Sequence, residues 1–295
     1  MSLQVTLDSE DRTLDFTSQD ENKGKVMDLS NYFERIGYSG SGDCSLSTLQ
    51  ELHLLHPVAI PFENLASFLE VDVSLIPGKV FTKLVDHGRG GYCFEQNLAF
   101  SIVLKQLGFS VTELAARVVW RSPNKKQMAR THMLLKVMVD NHAWIADVGF
   151  GGLTMTAPLE LDKKSEQQSP HEKFMITRKD DEYTISANVG NNWRNLYVFD
   201  LVTQYPVDFD MANFFVSSHP ESLFLHNLML GKPEAQGRHA LLNRDYTYYS
   251  LDGEKTRRRI SNSDELIDIL TNEFAIQLEG TVDIQALRNK FEKLD

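Results

Sequence analysis

The sequence predicts an α+β chain in three successive parts: helices first, a β-rich middle, and a mixed end. Three observations predict it. Apolar residues recur at helical spacing as far as Gly108. From there to about residue 200 they fall in short runs separated by turn residues. The middle runs are not interleaved with helical patterns, so a parallel α/β sheet is not indicated. With 295 residues, and roughly 100–200 per domain, the chain has room for two or three domains.

Residues 1–26 are polar, acid-rich and without periodicity, and read as a flexible extension ahead of Met27. Asp28 can cap a helix over 29–36 that Gly37 or Gly40 ends. Residues 45–56 place Leu46, Leu49, Leu52 and Leu55 on one helical stripe. Residues 93–107 do the same with Phe94, Leu98, Ile102 and Val103, and Gly108 is the stop. Residues 110–120, 132–139 and 143–150 then read as strands, followed by 173–177, 182–187 and 195–199. Short hairpin-linked strands of this kind make a barrel or a sandwich. In the last third, 239–250 and 256–260 read as strands. Residues 264–278, with Asp264 in the first turn, and 283–294 read as helices.

Composition excludes several classes. The net charge of −11 would repel a phosphate backbone, so nucleic acid is not an expected partner. Cys44 and Cys93, the only two cysteines, cannot build a disulfide scaffold or a cysteine-rich zinc site. Free thiols suit a reducing compartment. No apolar run reaches the ~20 residues of a membrane helix, and the N-terminus lacks the core of a signal peptide. A cytoplasmic protein is expected.

Cys93 stands in Arg89-Gly-Gly-Tyr-Cys-Phe-Glu-Gln-Asn97. Two glycines permit positive φ and close backbone approach. A helical stripe begins at once, which puts the sulfur near a helix N-terminus where an anion is favoured. A thiolate is the nucleophilic form of cysteine, and Arg89 is a candidate cation beside it. The bland reading, a buried small apolar residue, stays open on these residues alone. Cys44, in a polar loop, is given no catalytic role.

A nucleophilic cysteine needs a base, and the base an orienting group. His132 opens one predicted strand and Asp147 lies in the next. If Asp140-Asn141 is a two-residue turn, Leu134 faces Asp147 and His132 is the diagonal neighbour. Diagonal Cβ atoms lie ~7–8 Å apart, within reach of long side chains. A three-residue loop would put the pair on opposite faces. Asp147 is flanked by Ile145, Ala146, Val148 and Phe150, and a buried acid needs a partner. His142 falls in or beside the turn. A metal site from Cys93, His132, His142 and Asp147 lacks any supporting spacing, so no metal is expected. Gly149, Gly151 and Gly152 could let a ligand approach the backbone, or could simply end a strand.

These segments, with Pro61-Phe-Glu-Asn64 and Asn31-Tyr-Phe-Glu-Arg-Ile-Gly37, resemble the arylamine N-acetyltransferases. His132 follows Cys93 by 39 residues (132 − 93) and Asp147 follows His132 by 15 (147 − 132), spacings close to those of the bacterial members. The resemblance runs from about Met27 to the C-terminus, is most specific in the three catalytic segments and is weaker in the last third. It implies a helical bundle at 27–110 carrying Cys93, a β-barrel at 111–215 carrying His132 and Asp147, and an α/β lid at 216–295. The core would be cysteine-protease-like. It implies a ping-pong transfer of acetyl from acetyl-coenzyme A, through a Cys93 thioester, to arylamines, hydrazines or arylhydroxylamines. Phe62, Val118, Phe150 and Phe224 would form the acceptor pocket, and Gly149, Gly151 and Gly152 would approach coenzyme A. A cysteine hydrolase using the same residues, or a binding protein retaining the fold, are the competing readings.

Overall fold

A computed structural model describes residues 28–120 and 128–294; the expected extension at 1–26 lies outside the described residues. Helix α1 (Ser30–Ile36) starts one residue later than expected, although Asp28 still accepts the Ser30 N–H at 2.9 Å. Gly37, at φ 71°, ends it. Ser45 caps α2 (Leu46–Ala59) by accepting from Thr48, and the helix runs on through Pro57. Strand β1 (Phe62–Glu63), α3 (Leu65–Phe68) and α4 (Pro77–Phe81) follow, the last continuing as a π-helical turn over Thr82–Asp86. Helix α5 (Cys93–Gln106) is buried on most of its circumference. The predicted stripe is therefore too narrow. Leu98 and Ile102 are its less buried members, whereas Glu95, Gln96, Asn97 and Ser101 are enclosed. The cause is position: α5 packs between α4 and strands of the large sheet.

That sheet comprises β2 (Ser110–Val118), β3 (Arg130–Val139), β4 (His142–Ala146), β5 (Leu159–Glu160), β6 (Gln167–Gln168), β7 (Lys173–Lys179), β8 (Glu182–Val189) and β9 (Asn192–Phe199). The order is β5-β4-β3-β2-β9-β8-β7-β6, antiparallel throughout. The two edges are tied together by the Gln167 carboxamide, which accepts from the Glu160 N–H at 2.8 Å and donates to the Glu160 carbonyl at 2.9 Å. The sheet thus nearly closes into a barrel, and the sandwich alternative falls. Leu114, Leu134, Ile145, Phe174, Ile185 and Phe199 pack inside. Met133, Leu135 and Val137, on the other face of β3, pack with α5 residues such as Phe100 and Leu104. Val139 pairs with His142, so Asp140 and Asn141, at φ 49° and 63°, form the two-residue loop and the three-residue alternative is excluded.

The remainder holds α6 (Pro206–Ser218), α7 (Leu223–His226), β10 (Met229–Glu234), β11 (Gly237–Leu242), β12 (Asp245–Ser250), β13 (Lys255–Arg259), α8 (Ser263–Asn272) and α9 (Ile284–Phe291). The single strand expected at 239–250 is a hairpin, turned at Asn243, which takes φ 54°. The helix expected to reach 278 stops at Asn272; Ala275, at φ 55°, cannot continue it. Its apolar tail, Ile276 and Leu278, still fills the same core. Strand β1 pairs with β10 and completes a second sheet, β1-β10-β11-β12-β13. The last third therefore borrows a strand from the first, and the expected boundary at 215/216 falls inside α6. Among the described residues no helix is long and apolar enough to cross a membrane.

Candidate active site

Cys93 is the first residue of α5, and Glu95 closes the helix start by accepting the Tyr92 N–H at 3.1 Å. Neither glycine before it has positive φ. They are needed for space instead: a Cβ on Gly90 would lie 2.1 Å from the Pro61 carbonyl oxygen, and one on Gly91 would lie 2.8 Å from Glu95 Oε2. The turn is pinned by Gln96, whose Nε2 donates to the Ile60, Pro61 and Gly91 carbonyls at 3.2, 2.8 and 3.2 Å. Its Oε1 takes the His56 Nε2–H at 2.6 Å, which leaves His56 Nδ1 to accept from the Tyr32 hydroxyl at 2.7 Å.

The two-residue turn fixes the register that brings His132 and Asp147 to one face. His132 Nε2 lies 2.7 Å from Asp147 Oδ2, and both side chains are buried. Nδ1 is left as the ring nitrogen available to the Cys93 sulfur. Burial opposes charge on the ring, but the Asp147 carboxylate and then the sulfur outweigh it and raise its pKa well above the ordinary value. Burial likewise opposes the Asp147 anion. His132, the Asn97 amide at 3.0 Å and the Gly149 N–H at 3.0 Å reverse this and lower its pKa. Cys93 is 5% exposed, with Sγ 3.6 Å from the Thr131 carbonyl. A sulfur nucleophile, a charged imidazole and an orienting carboxylate can together make a thiolate and move its proton. Arg89 is not the cation beside the sulfur. Its guanidinium is spent on Glu63, 2.6 and 3.0 Å away, and on the Thr281 carbonyl at 3.0 Å. Cys44 is exposed, and its pKa is raised by partial burial and by Asp140 and Asp43.

The glycines divide. A Cβ on Gly149 would meet Cys93 Cα at 2.8 Å, so its close approach is to α5, and its N–H serves Asp147. The Gly151 N–H goes to Thr154 Oγ1 at 2.7 Å. Two of the three expected ligand-facing N–H groups are thus used internally. Gly152 is exposed, with open space where a Cβ would sit. Of the aromatic set, Phe62 meets Phe224 edge-on at 6.1 Å and Gly151 lies against the Phe62 ring. Phe150 stands edge-on to His132 at 5.3 Å. Val118 is opposite Tyr197 in the β2–β9 ladder, and Tyr197 packs on both His132 and Phe150. His142 is exposed beside its turn and 3.3 Å from Glu160.

Sequence reasoning gave no role to Asn97, His53 or Tyr197. Asn97 donates to the Met133 carbonyl at 2.8 Å and to Asp147, and accepts from Val148 at 3.0 Å. Its signal was legible: four residues after Cys93, it shares that helix face. His53 and Tyr197 carry no local signal, because only the packed fold brings them to Asp147 and His132.

A sequence model described as N-acetyltransferase matches residues 45–283. The chain is 37% identical over 266 residues to an arylamine N-acetyltransferase of Escherichia coli, covering 88% of this chain and 94% of that protein. It is 36% identical over 267 residues to one of Mycolicibacterium smegmatis, covering 88% and 97%. The arylamine N-acetyltransferase structure of M. tuberculosis superposes with a TM-score of 0.87 at 35% identity, covering 90% of this chain and 100% of that one. The Mycobacterium marinum enzyme, solved in complex with CoA, gives 0.87 at 34% identity, covering 90% and 99%. By these likenesses in sequence and fold, the chain is an acetyltransferase that belongs to the arylamine N-acetyltransferase family, on the bacterial side.

Proposed function

We propose that this enzyme moves an acetyl group from acetyl-coenzyme A to an arylamine, hydrazine or arylhydroxylamine by a ping-pong route through a thioester on Cys93. The observation that carries the reading is the Asp147-held His132 ring beside a sulfur at a helix N-terminus. The Cys93 thiolate attacks the acetyl carbonyl, the bond to coenzyme A sulfur breaks, and His132 gives that sulfur a proton. In the second half the amine nitrogen attacks the thioester, His132 takes its proton, and the Cys93 thiolate leaves. Aromatic amines are weak bases, mostly neutral near pH 7, so they arrive as nucleophiles.

Phe62, Val118, Phe150 and Phe224 are the proposed acceptor walls, since an apolar aromatic pocket suits such a ligand. Gly152 is the proposed approach for coenzyme A, with Gly149 and Gly151 shaping the loop. The cysteine-protease-like core, and the division into bundle, barrel and lid, belong to the same reading. So does a cytoplasmic setting. Free coenzyme A is followed after mixing enzyme with acetyl-coenzyme A, with and without an aromatic amine or hydrazine. Acceptor-dependent turnover, lost in Cys93→Ala, is expected. Equal turnover without acceptor would make it a hydrolase, and no release by the wild type would make it a binding protein.

A further inference from the structure

Asp147 lies just past the last pair of the β3–β4 ladder, Leu135 opposite Ala146. Its backbone N–H is buried and needs an acceptor. The acceptor comes from α2: His53 Nε2, 3.0 Å away. His53 is fully enclosed, with its ring edge-on to Phe100 at 5.7 Å. Accepting at Nε2 makes it the neutral ring with the proton on Nδ1. Burial keeps it neutral by lowering its pKa to about 4, against the pull of Asp147. The titratable groups that act on it are Asp147, from the end of β4, and His56, one turn along its own helix.

Nδ1 makes no hydrogen bond of good geometry among the described residues. A buried donor left this way is costly. An apolar side chain would pack in the same place without that cost, so what the imidazole uniquely supplies is the Nε2 acceptor. The Asp147 carboxylate is held by Asn97 from α5, His132 from β3 and the Gly149 N–H; on the main chain, Asn97 takes the N–H of the following Val148, and the Asp147 N–H itself goes to His53 from α2. Loosening His53 would let the carboxylate swing without changing its charge.

We propose that His53 is a positioning residue for acetyl transfer: its Nε2 fixes the Asp147 main chain and thereby sets the carboxylate against His132. The inference rests on the catalytic reading of Cys93, His132 and Asp147. It deepens that reading with a residue outside the three.

The test compares His53→Leu, which has no acceptor, with His53→Gln, whose carbonyl can replace Nε2, and His53→Asn, which is too short. Two quantities are read on the whole enzyme. One is the pH profile of Cys93 alkylation by iodoacetamide, with Cys44 as internal reference. The other is kcat and KM for acetyl-coenzyme A, alongside urea midpoints. In His53→Leu, Cys93 alkylation near about pH 6 should slow about tenfold to a hundredfold. Its pH profile should be displaced, and kcat should fall with KM unchanged. Cys44 should react as before, and His53→Gln should restore the Cys93 profile. A wild-type profile in His53→Leu would overturn the proposal, as would losses in Leu and Gln that merely track lost stability. If His53→Leu does not fold, Gln and Asn decide: a wild-type profile only in Gln supports the proposal, and equal profiles overturn it. Asp147→Asn separates the two levels. If it too leaves the profile unchanged, the catalytic reading fails; if it displaces the profile and His53→Leu does not, only the His53 inference fails.

Discussion

Asp147 carries the largest burden of any single residue in the site. It is a fully buried anion whose compensation comes from His132, Asn97 and the Gly149 N–H. In Asp147→Asn the amide can still accept from His132 but cannot stabilise an imidazolium. Acetyl transfer should drop on the order of 10³-fold or more. Stability should fall by about 3–5 kcal/mol near neutral pH, read as a lower urea midpoint. The sign of its pH dependence follows from the lowered pKa of Asp147. The wild-type contribution is complete above the unfolded carboxyl value of about 3.9 and is lost as pH falls through the folded value. The raised pKa of His132 acts the other way. Its contribution is complete below about 6.5 and is lost as pH rises through the folded value. Both shifts arise from the same pair, so protonating Asp147 removes both; midpoints of wild type and Asp147→Asn should therefore converge in acid, and parallel curves would count against the pairing.

Helix α5 is placed by contact at its first turn rather than by a conventional amphipathic stripe. A Cβ on Gly149 would strike Cys93 Cα, and one on Gly90 would strike the Pro61 carbonyl oxygen. Gly149→Ala would push the strand end and the helix start apart by steric overlap, at about 1–3 kcal/mol. Because the overlap falls at Cys93 itself, the rate of acetylation should fall further than stability does. Rapid-quench measurement of enzyme acetylation beside a thermal melt checks this; equal proportional losses would make Gly149 a packing residue only. Asn97, reaching β3 and the end of β4 from α5, joins the same elements by hydrogen bonds.

Across the whole molecule, the first and last thirds are joined by the β1–β10 pairing, and an enclosed ion pair of the first third, Glu63 with Arg89, reaches the last third through Arg89. Burial would raise the Glu63 carboxyl, but Arg89, and next Lys83, hold it below its ordinary value. Arg89 also reaches the Thr281 carbonyl near α9. Arg89→Ala would strand a buried carboxylate, and about 3–5 kcal/mol of stability should go with it. Glu63→Gln with Arg89→Met should recover part of that loss. Chemical denaturation of both variants tests the point; a mild Arg89→Ala phenotype would show that Glu63 finds water instead.

Local patterns were sufficient for much of this. The helix start at Cys93, the Gly37 and Gly108 stops, the Asp140-Asn141 hairpin and the run of middle strands all depend on neighbours close along the chain. The pairing of His132 with Asp147 followed as soon as that hairpin had two residues in its loop. Other features were decided only when distant segments packed: β1 crossing to the far sheet, Gln167 drawing the barrel edges together, Arg89 turning to Glu63 instead of the thiol, and His53 reaching Asp147. Periodicity reports the conformation of a segment and the face it buries. It does not report which segment will lie against that face, because that choice is made by the shared burial of parts far apart in the chain.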